Sequence, residues 1–343
     1  MSNDETRNRA RGAHSCIAIL AIGCTVAFAG SDSTHAAGTI LSTGFEPPMV
    51  TGQLQGQQGW AVAGGGTSTA IVENSVVHSG TQALQVTKTA APNNDRRWAV
   101  PQNGYPTERF VVVDWDMRVA PSLSAAFGPF FGMEGYDADL SPYVLGSLGV
   151  DAATGNVLYQ EQGTGTLLEG PIVSFNQWHH FRLVFDFLTD TYRGFVNGTQ
   201  VANTGFVDGA FHLDNFTDAD ISTFAAAGDP VSQSAGSTAW FDNLVVRDAA
   251  YGDYDIDGDI DAADFTRWRQ TFGTAVTPAG NGADGNRNGV VDAADYVIWR
   301  NAVGAGPAAG AGLAGLVVPE PAVVSLLFAA ASIAVFVRRR ECA

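Results

Sequence analysis

A doubled acidic motif near the C-terminus constrains this chain more than any other feature. Asp253-Tyr-Asp255-Ile-Asp257-Gly258-Asp259-Ile260-Asp261-Ala-Ala-Asp264 is followed by Asp284-Gly-Asn286-Arg-Asn288-Gly289-Val290-Val291-Asp292-Ala-Ala-Asp295. Carboxylates this dense repel one another unless a cation or a proton relieves the charge. Both copies fit D-x-[DN]-x-[DN]-G, the spacing of a Ca²⁺ loop. In such a loop, side-chain oxygens at positions 1, 3, 5, 9 and 12 converge on one ion. Position 7 adds a backbone carbonyl, and glycine at position 6 makes the turn. The candidate ligands are Asp253, Asp255, Asp257, Asp259, Asp261 and Asp264 in the first loop. Those of the second are Asp284, Asn286, Asn288, Val290, Asp292 and Asp295. One Ca²⁺ per loop is expected, and Ile260 and Val291 at position 8 are expected to pair the loops. The alternative is a solvated acidic loop without an ion.

Each loop leads into a helical period. Phe265, Trp268 and Phe272 follow the first loop, and Tyr296, Trp299 and Val303 the second, at i, i+3 and i+7. Gly273 and Gly304 stand where a helix would be capped. No helical pattern precedes Asp253. This doubled loop-then-helix unit, from about Tyr251 to Gly304 with aspartate at position 12, resembles the type I dockerin domain. The resemblance implies a small all-α calcium-binding module over 249–304 and a cohesin-like partner. It places partner contacts at Ala262, Ala263 and Arg269, and at Ala293, Ala294 and Arg300. The alanines depart from the serine or threonine common in that family, which puts ordinary cohesin specificity in question. A calcium-set folding unit with no partner is the other reading.

The two ends carry sorting features. Arg7, Arg9 and Arg11 precede an apolar run from Cys16 to Gly30, with small-residue cleavage candidates at 27–29 and 35–37. Residues 1–37 thus read as a secretory signal peptide, with a membrane anchor as the alternative. At the other end stand Pro319, Glu320 and Pro321, an apolar run over 322–337, then Arg338, Arg339 and Arg340. The run is short for a hydrocarbon core of about 30 Å. The arginines favour the cytoplasmic side. Segment 319–343 resembles the PEP-CTERM sorting tail, which implies processing by an exosortase-type membrane protease; a plain C-terminal anchor is the alternative. The Gly/Ala/Pro-rich residues 305–318 read as a linker. Together the ends imply export to the cell surface or beyond, with transient anchoring in the membrane. Cys16, Cys24 and Cys342 all lie in these ends. The exported core would have no thiol for a disulfide, a metal or a nucleophile.

Residues 38–248 show strand periods and no long helical pattern. Val111, Val113, Trp115, Met117 and Val119 alternate with Val112, Asp114, Asp116 and Arg118, so one face is expected dry and one wetter. Trp178–Phe187 alternates likewise, and Asn197-Gly198 reads as a hairpin turn. Further strands are expected at 70–77, 82–88, 143–150, 156–161 and 238–247. The fold class is mainly β, an antiparallel β-sandwich ahead of the small helical module. Gly44-Phe45-Glu46, Gly80 to Val86, Trp178 to Arg182, Tyr192 to Gly198 and Ala239 to Val245 resemble concanavalin A-like or laminin G-like jelly rolls. That fold hosts lectins, glycoside hydrolases, polysaccharide lyases and adhesive domains, so fold alone leaves function open.

The net charge of −17 argues against a duplex nucleic-acid binder. The single lysine, Lys88, leaves little for Schiff-base chemistry. Asp114 and Asp116 are weak catalytic candidates, set against an exposed acidic strand face. Glu134, Asp137 and Asp139 read as part of a Gly-rich loop, and His179 and His180 as structural. Neither Glu-x-Asp-x-x-Glu nor G-x-S-x-G occurs. Glu46 and Asp242 are candidates for a further structural Ca²⁺. Trp60, Trp98, Tyr105, Tyr136 and Tyr143 read as loop aromatics that could stack on sugars. The preferred reading is an exported protein that binds a polysaccharide or matrix glycan. The alternatives are a polysaccharide hydrolase or lyase, and an adhesive without glycan affinity.

Overall fold

Alternation of apolar and polar residues builds two antiparallel sheets packed face to face. The computed structural model describes residues 39–91, 95–102, 105–106, 110–124, 127–138, 142–226, 228–249, 251–256 and 260–303. The expected signal segment, linker and sorting tail, including Pro319, Glu320, Pro321 and Arg338–Arg340, lie outside these residues, as do Asp139, Asp257 and Asp259. Among the described residues no helix is long and apolar enough to cross a membrane.

The first strands are Thr39–Thr43 (β1), Gly52–Gln53 (β2), Ala61–Ala63 (β3), Thr69–Glu73 (β4), Ala83–Lys88 (β5) and Arg96–Ala99 (β6). Next come Tyr105–Pro106 (β7), Phe110–Val119 (β8), Phe130–Asp137 (β9), Tyr143–Asp151 (β10), Asn156–Gln160 (β11) and Leu167–Ile172 (β12). Then follow Trp178–Asp186 (β13), Thr191–Val196 (β14), Thr199–Gly205 (β15), Asn215–Phe216 (β16), Asp218–Phe224 (β17) and Ser237–Asp248 (β18). The helices are Pro230–Gln233 (α1), Ala262–Thr271 (α2) and Ala293–Val303 (α3). A nine-stranded sheet runs β15-β14-β13-β8-β18-β5-β4-β2, with β1 added on β18. A seven-stranded sheet runs β12-β11-β10-β9-β17-β6-β3.

The core lies between them. Val111, Val113, Trp115 and Met117 of β8, with Phe181, Leu183 and Phe185 of β13, meet Phe131 and Met133 of β9 and Leu148 and Val150 of β10. Trp115 stacks on Phe181 with ring centroids 5.4 Å apart. Trp60 and Trp98, each 2% exposed, belong to this core and are not loop aromatics. Tyr136 also lies within a strand, and Tyr143 opens β10 with its ring stacked on Phe211. The hairpin joining β14 and β15 turns at Asn197 and Gly198, both at positive φ. Strand β4 ends earlier than its apolar run suggests, because the Glu73 carboxylate accepts the Ser75 and Val76 amides and starts a turn.

Strand β9 departs from the sequence reading. Glu134 and Asp137 lie in a fully buried strand, not a loop. Its glycines mark close approach rather than a turn. A Cβ on Gly135 would sit 2.4 Å from the Phe185 ring, and one on Gly146 of β10 would sit 2.6 Å from the Tyr192 ring. Strand β8 departs too, since its second face is also dry. Val112 joins Phe110, Val184, Phe195, Ala249 and Ile256 in a small cluster on the outer side of the nine-stranded sheet. Ile256 comes from the first acidic loop, so the C-terminal module covers that end of the sheet. Asp114 and Asp116 are each 8% exposed, not on an open face.

Replacing Gly146 by alanine is expected to cost about 1–3 kcal/mol through overpacking against Tyr192. Gly65→Ala, where a Cβ meets nothing, should stay within about 0.5 kcal/mol. Urea midpoints of the two variants measure the difference.

Candidate functional site

The acidic loops share one wiring. Asp264 accepts the amides of Tyr254 (2.6 Å), Asp255 (3.1 Å) and Asp261 (2.8 Å). Asp295 accepts those of Asn286 (2.9 Å) and Asp292 (2.8 Å). The Trp268 indole donates to the Asp292 carbonyl and the Trp299 indole to the Asp261 carbonyl, each at 2.8 Å. Each helix thus grips the opposite loop. Asp261 and Asp264 form a capping box on α2, so two acids at ligand positions also start the helix. Val291 bonds through both backbone groups to Gly273 and Thr274.

Asp253, Asp264, Asp284 and Asp295 are buried. One carboxylate oxygen from each of Asp253, Asp255 and Asp264 lies within 4.8 Å of the others. Burial, with the Asp255 charge adding to it, pushes Asp264 up to about 6, and burial also raises Asp295. In the second loop Asn288 instead donates through its side chain to Asp292 at 3.0 Å. This donor set is all hard oxygen, with Asp253, Asp264, Asp284 and Asp295 buried and Asp255 and Asn288 exposed, and it fits a Ca²⁺ better than a softer metal. Ala262, Ala263 and Arg269 on α2 are exposed, as are Ala293, Ala294 and Arg300 on α3.

Asp114 and Asp116 share the outer side of the nine-stranded sheet, but each is held by cations. Arg182 Nε lies 2.6 Å and Arg247 Nη2 3.3 Å from Asp114. His180 bridges the pair, with Nε2 3.3 Å from Asp114 and Nδ1 3.1 Å from Asp116. Burial works to raise Asp114, but bonds from His180 and Arg182 with the nearby guanidinium charges hold it below its ordinary value. Hydrogen bonds donated by the ring to Asp114 and Asp116 raise His180 to about 9. His179 contacts the Ser174 carbonyl and the Asn197 side chain.

Glu46 and Asp242 both bind the 78–82 turn. Glu46 accepts from the Thr81 and Gln82 amides, and Asp242 from the His78, Ser79 and Asn243 amides.

A further cluster was not singled out in the sequence reading. On β9, Phe131 and Met133 enter the core, which turns Glu134 and Tyr136 to the outer side of the seven-stranded sheet. On β17, Ala219 and Ile221 enter the core, which turns Asp218, Asp220 and Ser222 to the same side. Asp220 stands directly across from Glu134, and Asp218 across from Tyr136. Arg97 Nε donates to Glu134 Oε2 at 2.6 Å, Ser222 Oγ donates at 2.6 Å and the Tyr136 hydroxyl at 3.2 Å. Glu134 is 2% and Asp220 7% exposed. Burial, with Asp218 and Glu134 beside it, pushes Asp220 well above the usual carboxylate range; burial raises Asp218 to about 6. Asp220 Oδ1 and the Ser147 hydroxyl, cross-strand from Glu134, are buried without hydrogen-bond partners. The signal for this site was the i, i+2 acid spacing of Asp218 and Asp220, the same spacing that drew notice to Asp114 and Asp116.

The His180 bridge gives a pH dependence. A folded-state value near 9 against an unfolded value of about 6.5 means its stabilisation is complete below pH about 6.5 and fades as pH rises through about 9. Urea midpoints should therefore fall between pH 6 and 9.5, by less in a His180→Gln variant than in the parent. An equal fall in both would show that the bridge does not contribute.

No family model matches the chain, and no curated protein matches it. Among solved structures it is similar to the cellulose-induced protein Cip1, at 14% identity and TM-score 0.45 over 60% of this chain and 96% of that one. It is also similar to an endo-β-1,4-glucuronan lyase from the fungus Trichoderma reesei, at 14% and 0.42 over 62% and 96%. A mutant of alginate lyase Aly36B bound to an alginate trisaccharide is similar at 15% and 0.42, over 63% and 99%.

Proposed function

We propose that this is an exported surface or matrix protein that binds a glycan through its β-sandwich and two Ca²⁺ ions through its C-terminal loops. The observation that carries the calcium half is the repeated wiring of Asp264 and Asp295, each buried and each gathering the amides of its own loop. In the first loop the Asp253, Asp255 and Asp264 carboxylates come within 4.8 Å of one another, a charge that a hard divalent cation would neutralise. The glycan half is supported by the polar outer side of the seven-stranded sheet around Arg97, Glu134 and Asp220. In this reading the helical module acts as a dockerin, presenting Ala262, Ala263, Arg269, Ala293, Ala294 and Arg300 to a cohesin-like partner. The terminal tail is the substrate of an exosortase-type protease.

Calorimetry on the purified protein is expected to show two Ca²⁺-binding events. Asp253→Ala and Asp284→Ala should each remove one of them. Circular dichroism should gain helix on adding calcium and lose it with chelator. Identical spectra in chelator and in excess calcium would defeat the calcium reading. Affinity electrophoresis through gels containing polysaccharides tests the glycan half. Retardation by none of them would favour an adhesive without glycan affinity.

A further inference from the structure

The outer side of the seven-stranded sheet holds more than a binding surface requires. A glycan-binding face needs hydroxyl partners and stacking rings, and buried carboxyls set against each other would weaken the fold. Here Glu134 and Asp220 are direct cross-strand partners in an antiparallel pair. Such partners have Cβ atoms about 4.5–5.5 Å apart, so the two carboxyl groups, one and two bonds further out, are side-by-side neighbours on one face. Double-displacement glycoside hydrolysis uses carboxyls about 5–5.5 Å apart, and single displacement needs a wider gap.

The two acids stand in different environments. Glu134 receives Arg97 Nε, the Ser222 hydroxyl and the Tyr136 hydroxyl on Oε2, while Oε1 has only a long contact of 3.4 Å from Arg97 Nη2. Its charge is thus compensated on one oxygen and the other is left for a new bond. Asp220 has Oδ1 buried without a partner and faces Asp218 and Glu134. That environment favours the protonated acid. The buried Ser147 hydroxyl, cross-strand from Glu134 and also unpartnered, adds a donor turned to the same side. It is the kind of group a sugar hydroxyl would satisfy.

We propose that this face hydrolyses the glycosidic bonds of a neutral polysaccharide, with Glu134 as nucleophile and Asp220 as general acid and then base. In the first step Asp220 gives its proton to the glycosidic oxygen as the C1–O bond breaks, and Glu134 Oε1 bonds to C1. In the second, water attacks C1, gives a proton to Asp220 and displaces Glu134. One water is consumed and nothing is oxidised or reduced. Arg97 and Ser222 are positioning residues. The substrate is neutral because Arg97, the cation among these residues, is already paired with Glu134, which leaves the Asp218 and Asp220 carboxyls facing the ligand without a cation of their own. A polyuronate would bring its carboxylates against like charge. This inference rests on the reading of the β-sandwich as a glycan-binding domain.

The full protein, with calcium present, would be incubated with neutral glucans, xylans and mannans and with polyuronates. New reducing ends are expected from at least one neutral polymer, with no unsaturated product from any. Glu134→Gln and Asp220→Asn should each lower kcat by about 10²–10⁴-fold. The parent protein supplies a second readout that does not depend on either variant keeping its fold. An activated fluorinated glycoside should leave a covalent sugar on Glu134, found by peptide mass spectrometry. Retardation by a neutral glycan without reducing ends or adduct would overturn the catalytic assignment and leave the binding reading standing. Neither retardation nor cleavage would overturn both.

Discussion

A buried carboxylate must be paired with a cation, wrapped in donors or given a proton, and this structure uses each solution in a different place. The chain carries 35 acidic residues against 18 basic ones, so cations are scarce. Asp114 and Asp116 take Arg182, Arg247 and His180. Asp242 takes backbone amides from the 78–82 turn. Asp151 takes the amides of Gly128 and Ala153. Asp220 has neither cation nor donor on Oδ1, which leaves the proton. The acidic loops combine amide bonds with a charge density suited to a divalent ion.

The same economy joins the sandwich to the helical module. Arg247, near the end of β18, reaches Asp114 with Nη2 at 3.3 Å and Asp253 of the first loop with Nη1 at 4.0 Å. One guanidinium therefore serves an acid of the sheet and an acid of the loop. Beside it, Ile256 completes the apolar cluster over Val112 and Val184. A cation in the first loop would compete with Arg247 for Asp253, which couples the charge of the loop to the outer side of the nine-stranded sheet.

The legible parts of the sequence were those where neighbours along the chain decide the outcome. Strand β8 spans Phe110–Val119 as its alternation implied, and Asn197-Gly198 makes the hairpin because both residues tolerate positive φ. Helices α2 and α3 start at the last acid pair of each loop, as the repeated spacing implied. The misread parts depended on what lies opposite. Gly132 and Gly135 made β9 look like a turn, but Gly135 makes room for Phe185, a residue 50 positions away. Trp60 and Trp98 sit in short segments with turn residues around them, yet both belong to the core.

The sequence by itself determined the mainly β architecture, the doubled acidic loops and the residues able to serve as ligands there. Those features are local: periods of two, positive-φ turn residues and fixed spacings act within a few residues of chain. Only the tertiary structure decided that Glu134 and Asp220 face each other, that Val112 is dry and that Asp114 is held by two arginines. These depend on strand order, because β17 lies beside β9 and β18 beside β8 across long stretches of chain. Pairing of that kind is set by how the two sheets bury their apolar faces together, and no short window of residues records it.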